Sequence, residues 1–159
     1  MMKKFILIVV AFSCVISPCL AAYDGVDEYY IICKPGTSVN VRISPNSHAE
    51  VIGSKFFSDQ VFVDKERNGF VHITNLNSEY TEGWVSKGLI VDDKPIEVNT
   101  VGVIVSNARV AGRKYVNGKV VCWLKNGTEI TIYAVSDEWC VTDKGYVKSE
   151  FIVIKGEGD

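Results

Sequence analysis

The chain has 159 residues, with 17 basic against 19 acidic side chains and a formal net charge of −2. Lys3 and Lys4 lie in the first 22 residues, so the remainder holds 15 basic (17 − 2) and 19 acidic groups, net −4, without a basic run. Phosphate backbones need clustered Lys and Arg, which argues against a nucleic-acid partner. His48 and His72 with no paired-cysteine spacing give no metal-ligand pattern, and no cofactor is expected.

The first segment looks like an export signal. Lys3 and Lys4 precede an apolar run from Phe5 to Phe12, and Leu20-Ala21-Ala22 closes it with small residues before polar Tyr23-Asp24. This pattern predicts a signal peptide over residues 1–22, cleaved after Ala21 or Ala22. The run falls short of the ~20 residues of a membrane span. The expected product is secreted, or held in the periplasm or cell envelope, with no span in the mature chain.

The rest is written twice. Residues 38–45, Ser-Val-Asn-Val-Arg-Ile-Ser-Pro, match 105–112, Val-Ser-Asn-Ala-Arg-Val-Ala-Gly, which pairs Asn40 and Arg42 with Asn107 and Arg109. Residues 83–90, Gly-Trp-Val-Ser-Lys-Gly-Leu-Ile, match 145–152, Gly-Tyr-Val-Lys-Ser-Glu-Phe-Ile. Two matched blocks in one order indicate duplicated domains. The expected division is unit one over 31–91, a linker over 92–100 that carries Pro95 and a charge cluster, and unit two over 101–154.

Within each unit, short runs rich in Val, Ile, Tyr, Phe and Thr alternate with Gly, Asn, Asp and Ser, and no helical period is sustained. Strands are predicted at 39–43, 50–57, 60–65, 69–74 and 82–86, then at 101–110, 119–124, 129–135, 138–142 and 145–148. Glu129-Ile130-Thr131-Ile132 alternates cleanly, so Ile130 and Ile132 share a core-facing side. Asn68-Gly69, Asn117-Gly118 and Asn126-Gly127 mark turns. The fold class is all-β, two small barrels in tandem.

The order of motifs resembles tandem bacterial SH3 domains. Units of that family open with Asn-Val-Arg and a Pro or Gly loop, here Asn40-Val41-Arg42…Pro45 and Asn107-Ala108-Arg109…Gly112. They continue with a strand like Val51-Ile52-Gly53 or Val120-Val121-Cys122 and a hairpin, here Leu124…Gly127…Ile130…Ile132. They close on Gly83-Trp84-Val85-Ser86 and Gly145-Tyr146-Val147-Lys148. The resemblance implies SH3-like barrels and non-catalytic binding of cell-wall peptide or glycan. Unit one departs from the pattern: its hairpin glycine is missing and Phe56–Val61 looks one residue short. Residues 75–81 are an insertion. Trp139 matches either Phe70 or Val71, which face opposite sides.

The candidate ligand groove is aromatic. Val85 and Val147 point inward, so by alternation Trp84 and Tyr146 should be at least half exposed. Trp123, Trp139, Phe70, Tyr80 and Tyr115 lie in or near the corresponding loops and strands, and such side chains stack on sugars or peptide while keeping a polar edge wet. The opposing possibility is that Trp84 or Tyr146 seals the contact between units. Arg42 and Arg109 are expected to bond loop carbonyls. Cys122 and Cys140 are candidates for a disulfide, which export permits. Cys33 with His48 or His72 supplies the residue types of a small cysteine hydrolase, but no helix N-terminus is placed to lower the thiol pKa, so no catalysis is expected. The alternative to wall binding is a structural role, docking on an envelope or host protein.

Overall fold

The computed structural model describes residues 25–74 and 82–155. The expected signal segment at 1–22 and Tyr80 lie outside the described residues. The protein is all-β, with two seven-stranded antiparallel sheets and two short 3-10 turns. No helix among the described residues is long and apolar enough to cross a membrane.

Unit one contains β1 Asp27–Ile31, β2 Ser38–Arg42, β3 Val51–Phe56, β4 Gln60–Arg67, β5 Phe70–Thr74, β6 Gly83–Ser86 and β7 Ile90–Val91. Unit two contains β8 Ile96–Ile104, β9 Val110–Arg113, β10 Val120–Leu124, β11 Glu129–Val135, β12 Trp139–Thr142, β13 Gly145–Lys148 and β14 Ile152–Ile154. The strand orders are β3-β2-β6-β5-β4-β1-β7 and β10-β9-β13-β12-β11-β8-β14, the same topology twice. The connection is shorter than 92–100: β8 begins at Ile96, which leaves Asp92–Pro95 between the sheets.

Each unit has its own core. Val39, Val41, Val61, Val63, Val71, Ile73 and Val85 fill the first; Ile104, Val110, Leu124, Ile130, Ile132 and Val147 fill the second. Alternation places them, since β-branched side chains at every second position share one face. Bulges interrupt it on the long strands β4 and β11, between Val63 and Lys65 and between Ile132 and Ala134, and register also shifts at Val41/Arg42 and at Val120/Cys122. The extra residue reverses the faces, so Ala134 leaves the core side that Ile130 and Ile132 occupy.

The sheets close in matched fashion. Ser58 N–H bonds the Ile31 carbonyl and Ile31 N–H the Asp59 carbonyl; Gly127 N–H bonds Ile104 and Ile104 N–H bonds Thr128, all at 2.8–2.9 Å. Ser58 therefore stands where Gly127 stands, and its φ of 65° takes the left-handed conformation that Gly127 adopts at 77°. Unit one has a complete hairpin, with serine in the glycine's place.

The register also corrects the Arg pairing. Arg42 pairs with Trp84, and Arg113, not Arg109, pairs with Tyr146. The Arg42 Nη1 donates to the Ala49 carbonyl at 2.6 Å and the Arg113 Nη1 to Gly118 at 2.8 Å, holding the same loop in each unit. The counterpart of Asn40-Val41-Arg42 is thus Ala111-Gly112-Arg113. Glycine replaces the core valine because a Cβ at residue 112 would lie 2.4 Å from the Lys144 carbonyl and 2.5 Å from the Cys122 sulfur. Trp139 pairs with Lys148 as Phe70 pairs with Ser86, which settles its register on Phe70.

Candidate functional site

The two units are docked on one another. Ile32 and Val91 of unit one meet Ala134, Trp139, Val141 and Tyr146 of unit two in a third buried cluster. Polar contacts fix the arrangement: Tyr146 Oη donates to the Ile32 carbonyl (3.0 Å), Val116 N–H to Gly88 (3.0 Å) and Asp137 N–H to Asp93 Oδ2 (2.8 Å). Lys34 Nζ lies 4.0 Å from the centroid of the Tyr133 ring, a cation–π contact across the seam. At Gly88 a Cβ would sit 2.5 Å from Tyr115 Cδ2 and 2.9 Å from the Val116 carbonyl oxygen, so the seam leaves no room for a side chain there.

This docking overturns the expected exposure of Tyr146. It is 8% exposed and Trp139 is 3% exposed, because unit one covers the face that alternation turned outward. Burial pushes the Tyr146 phenol pKa upward, with the nearby Cys33 adding to the shift. Trp84 occupies the matching face of unit one and is half-buried. Its ring meets His72 edge-on at 5.1 Å, and Lys65 Nζ lies 5.8 Å from its centroid. His72 Nδ1 is 2.7 Å from Asp64 Oδ1. The candidate aromatics among the described residues therefore do not form one groove.

Phe70 and Tyr115 do come together, and with them the site. They border an open cleft of about 1400 Å³ between the units, also lined by Asn40, Arg42, Lys87 and Asn117. On one wall Lys87 Nζ pairs with Glu66 Oε2 at 2.5 Å. Trp139, though 3% exposed, lines the cleft and also a smaller recess on unit two. This recess of about 250 Å³ is also flanked by Trp123, Arg109, Lys148 and Phe151. Trp123 is 59% exposed on the edge strand β10 and borders this recess, not the cleft.

The three cysteines among the described residues, Cys33, Cys122 and Cys140, are free thiols. The expected Cys122–Cys140 bridge is not formed: the Cys122 thiol donates to the Lys144 carbonyl (3.4 Å) and Cys140 points into the core. Burial raises the Cys140 pKa to about 11. Cys33 is buried, donates to the Thr37 carbonyl at 3.7 Å, and has its pKa raised by burial. His48 bonds Asn46 and Ser47, and His72 bonds Asp64. Among the described residues no group of three or more His, Cys, Asp or Glu is arranged to hold a metal ion.

No family model and no curated protein matches the chain. Solved structures that resemble it include NlpC1 and NlpC2 from Trichomonas vaginalis, at 20% and 18% identity and TM-scores of 0.35 and 0.34. The matches cover 85% and 87% of this chain but 48% and 52% of those, so the chain spans about half their length. A likeness this loose says nothing about activity.

Proposed function

We propose that the protein is an exported, non-catalytic binding protein whose two SH3-like units hold cell-wall peptide or glycan in the cleft between them. The observation that carries this reading is the cleft itself, framed by two units that are pinned together by buried contacts. Phe70 and Tyr115 offer apolar ring surface; Asn40, Arg42, Lys87 and Asn117 offer donors and acceptors beside it. Such a mixture suits a polymer of alternating apolar and polar groups, which stacks on rings and bonds at the rim. A volume of about 1400 Å³ exceeds the ~300–1,000 Å³ of small-molecule pockets, in keeping with an extended ligand. The buried cysteines favour packing over chemistry, since a nucleophile needs a thiolate and burial opposes one.

Co-sedimentation with purified insoluble wall tests the proposal. The intact protein should be retained, and the Phe70→Ala/Tyr115→Ala double variant should lose most of that retention while keeping its circular dichroism spectrum. An intact protein that stays in the supernatant, or a double variant retained as well as the parent, refutes wall binding in the cleft.

A further inference from the structure

The contact between the units is head to tail. Unit two contributes a face, the head, built on Tyr146, Val141, Trp139 and Ala134. Unit one contributes an end, the tail, built on Ile32, Val91 and Leu89. Because the fold is duplicated, unit two has a tail of its own and unit one has a head of its own, and neither is used inside the chain.

The free tail is identified by matched hydrogen bonds and pairs. Ile32 N–H bonds Leu89 and Val105 N–H bonds Phe151, so Val105 is the counterpart of Ile32. Tyr30 pairs with Val91 and Val103 with Val153, so Val153 is the counterpart of Val91. Ile32 and Val91 are 0% and 8% exposed beneath unit two, whereas Val105 and Val153 are 53% and 57% exposed, with Ile154 beside them at 49%. Beta-14 is the last strand of its sheet, so this apolar end is also an open edge. These side chains repeat an interface that the protein already makes.

The free head is on unit one. Trp84 stands for Tyr146, Phe70 for Trp139 and His72 for Val141. Both aromatic anchors persist, and the Trp84 indole N–H is a donor where Tyr146 has its hydroxyl. A steric exchange fits this head to that tail. Inside the chain, Gly88 makes room for Tyr115. At the free tail the position of Gly88 is held by Glu150, and at the free head the loop after Arg42 reads Ser44-Pro45-Asn46-Ser47, with no aromatic ring to accommodate. Where the glycine is lost, the tyrosine is lost with it.

We propose that the Val105–Val153 end of unit two docks on the Trp84 face of unit one in a second copy of this chain, so that copies associate head to tail through a repeat of the internal interface. Asp64 and Lys65 stand on the free head where Tyr133 and Ala134 stand on the used one, so the contact between copies is more polar and weaker than the contact within one. The interface is heterologous, and such contacts extend into open arrays unless the rotation closes a ring.

Sedimentation velocity on the intact chain tests this. The sedimentation coefficient should rise with concentration between the micromolar and millimolar ranges. Val153→Lys disables the tail and Trp84→Ala the head, so each variant alone should stay monomeric. An equimolar mixture of the two retains one good head and one good tail, and should form dimers that grow no further. Ser44→Tyr, two residues past Arg42 as Tyr115 is two past Arg113, is a surface change that restores the obstructing ring; it should disable the head even if Trp84→Ala fails to fold. A parent chain that stays monomeric at millimolar concentration overturns the proposal. Assembly of the parent without rescue in the mixture overturns it too, because it would show a two-fold contact through β14 instead.

Discussion

The hydroxyl of Tyr146 donates a hydrogen bond to the carbonyl oxygen of Ile32, 3.0 Å away and 114 residues earlier in the chain. It joins the two units inside an apolar cluster, where a backbone carbonyl deprived of its donor has no water to replace it. Tyr146→Phe should keep the fold and lower unfolding stability by about 1–3 kcal/mol, the cost of leaving a buried acceptor unsatisfied. Urea unfolding of parent and variant measures the difference.

The same phenol makes stability sensitive to alkali. Its pKa is raised in the folded protein by burial, and in the unfolded chain it is an ordinary tyrosine near 10. Above about pH 10 the unfolded state releases that proton while the folded state keeps it, so the unfolded state binds fewer protons and stability falls with rising pH. Below pH 10 both states hold the proton and no loss occurs. Tyr146→Phe should therefore show a shallower decline between about pH 10 and 11 in the same urea assay.

Gly88 tests the seam from the other side. Its φ is not in the left-handed region, so alanine there leaves unit one unstrained, yet its Cβ would lie 2.5 Å from Tyr115 Cδ2 and 2.9 Å from the Val116 carbonyl. Gly88→Ala should cost about 1–3 kcal/mol as an overpacked contact. Small-angle scattering should show a larger radius of gyration as the units part. Adding Tyr115→Ala should recover part of the loss, because the ring clash is removed and the Val116 clash stays.

Arg42 and Arg113 each hold a hairpin loop through a guanidinium-to-carbonyl bond, and Arg109 makes no such bond among the described residues. Arg42→Met and Arg113→Met should each destabilise by about 1.5–3 kcal/mol. Arg109→Met should stay within about 0.5 kcal/mol, as for surface substitutions generally. Thermal melts of the three variants rank them.

These arginines also mark what could be read from the sequence. The duplication, the all-β class and the core faces of β6, β11 and β13 were legible, because a period of two in β-branched residues is set by the backbone. The first motif was misplaced in unit two because Gly112 hides the valine of Asn-Val-Arg, while Val-Ser-Asn-Ala-Arg upstream imitates it. Tyr146 was assigned the right face and the wrong exposure. Alternation tells which way a side chain points, but not that another domain 114 residues distant will cover it. The cleft was illegible for the same reason: Phe70 and Tyr115 come to line one cleft only through the docking of the units.

Thiol accessibility follows from burial. Cys140, with its pKa pushed up to about 11, and buried Cys33 should resist labelling by a thiol reagent at pH 8, while half-buried Cys122 reacts first. In urea Cys33, Cys122 and Cys140 should all titrate without reductant. Recovery of only Cys33 would show that Cys122 and Cys140 are bridged.

Backbone amide NMR of the intact chain, titrated with soluble fragments of purified cell wall, tests the two-unit cleft most directly. The account predicts saturable shifts at Phe70 and Lys87 on unit one together with Tyr115 and Asn117 on unit two, all following one binding curve. Shifts confined to one unit, shifts centred on Trp84 and His72 with the cleft unmoved, or no shifts at all, would contradict it.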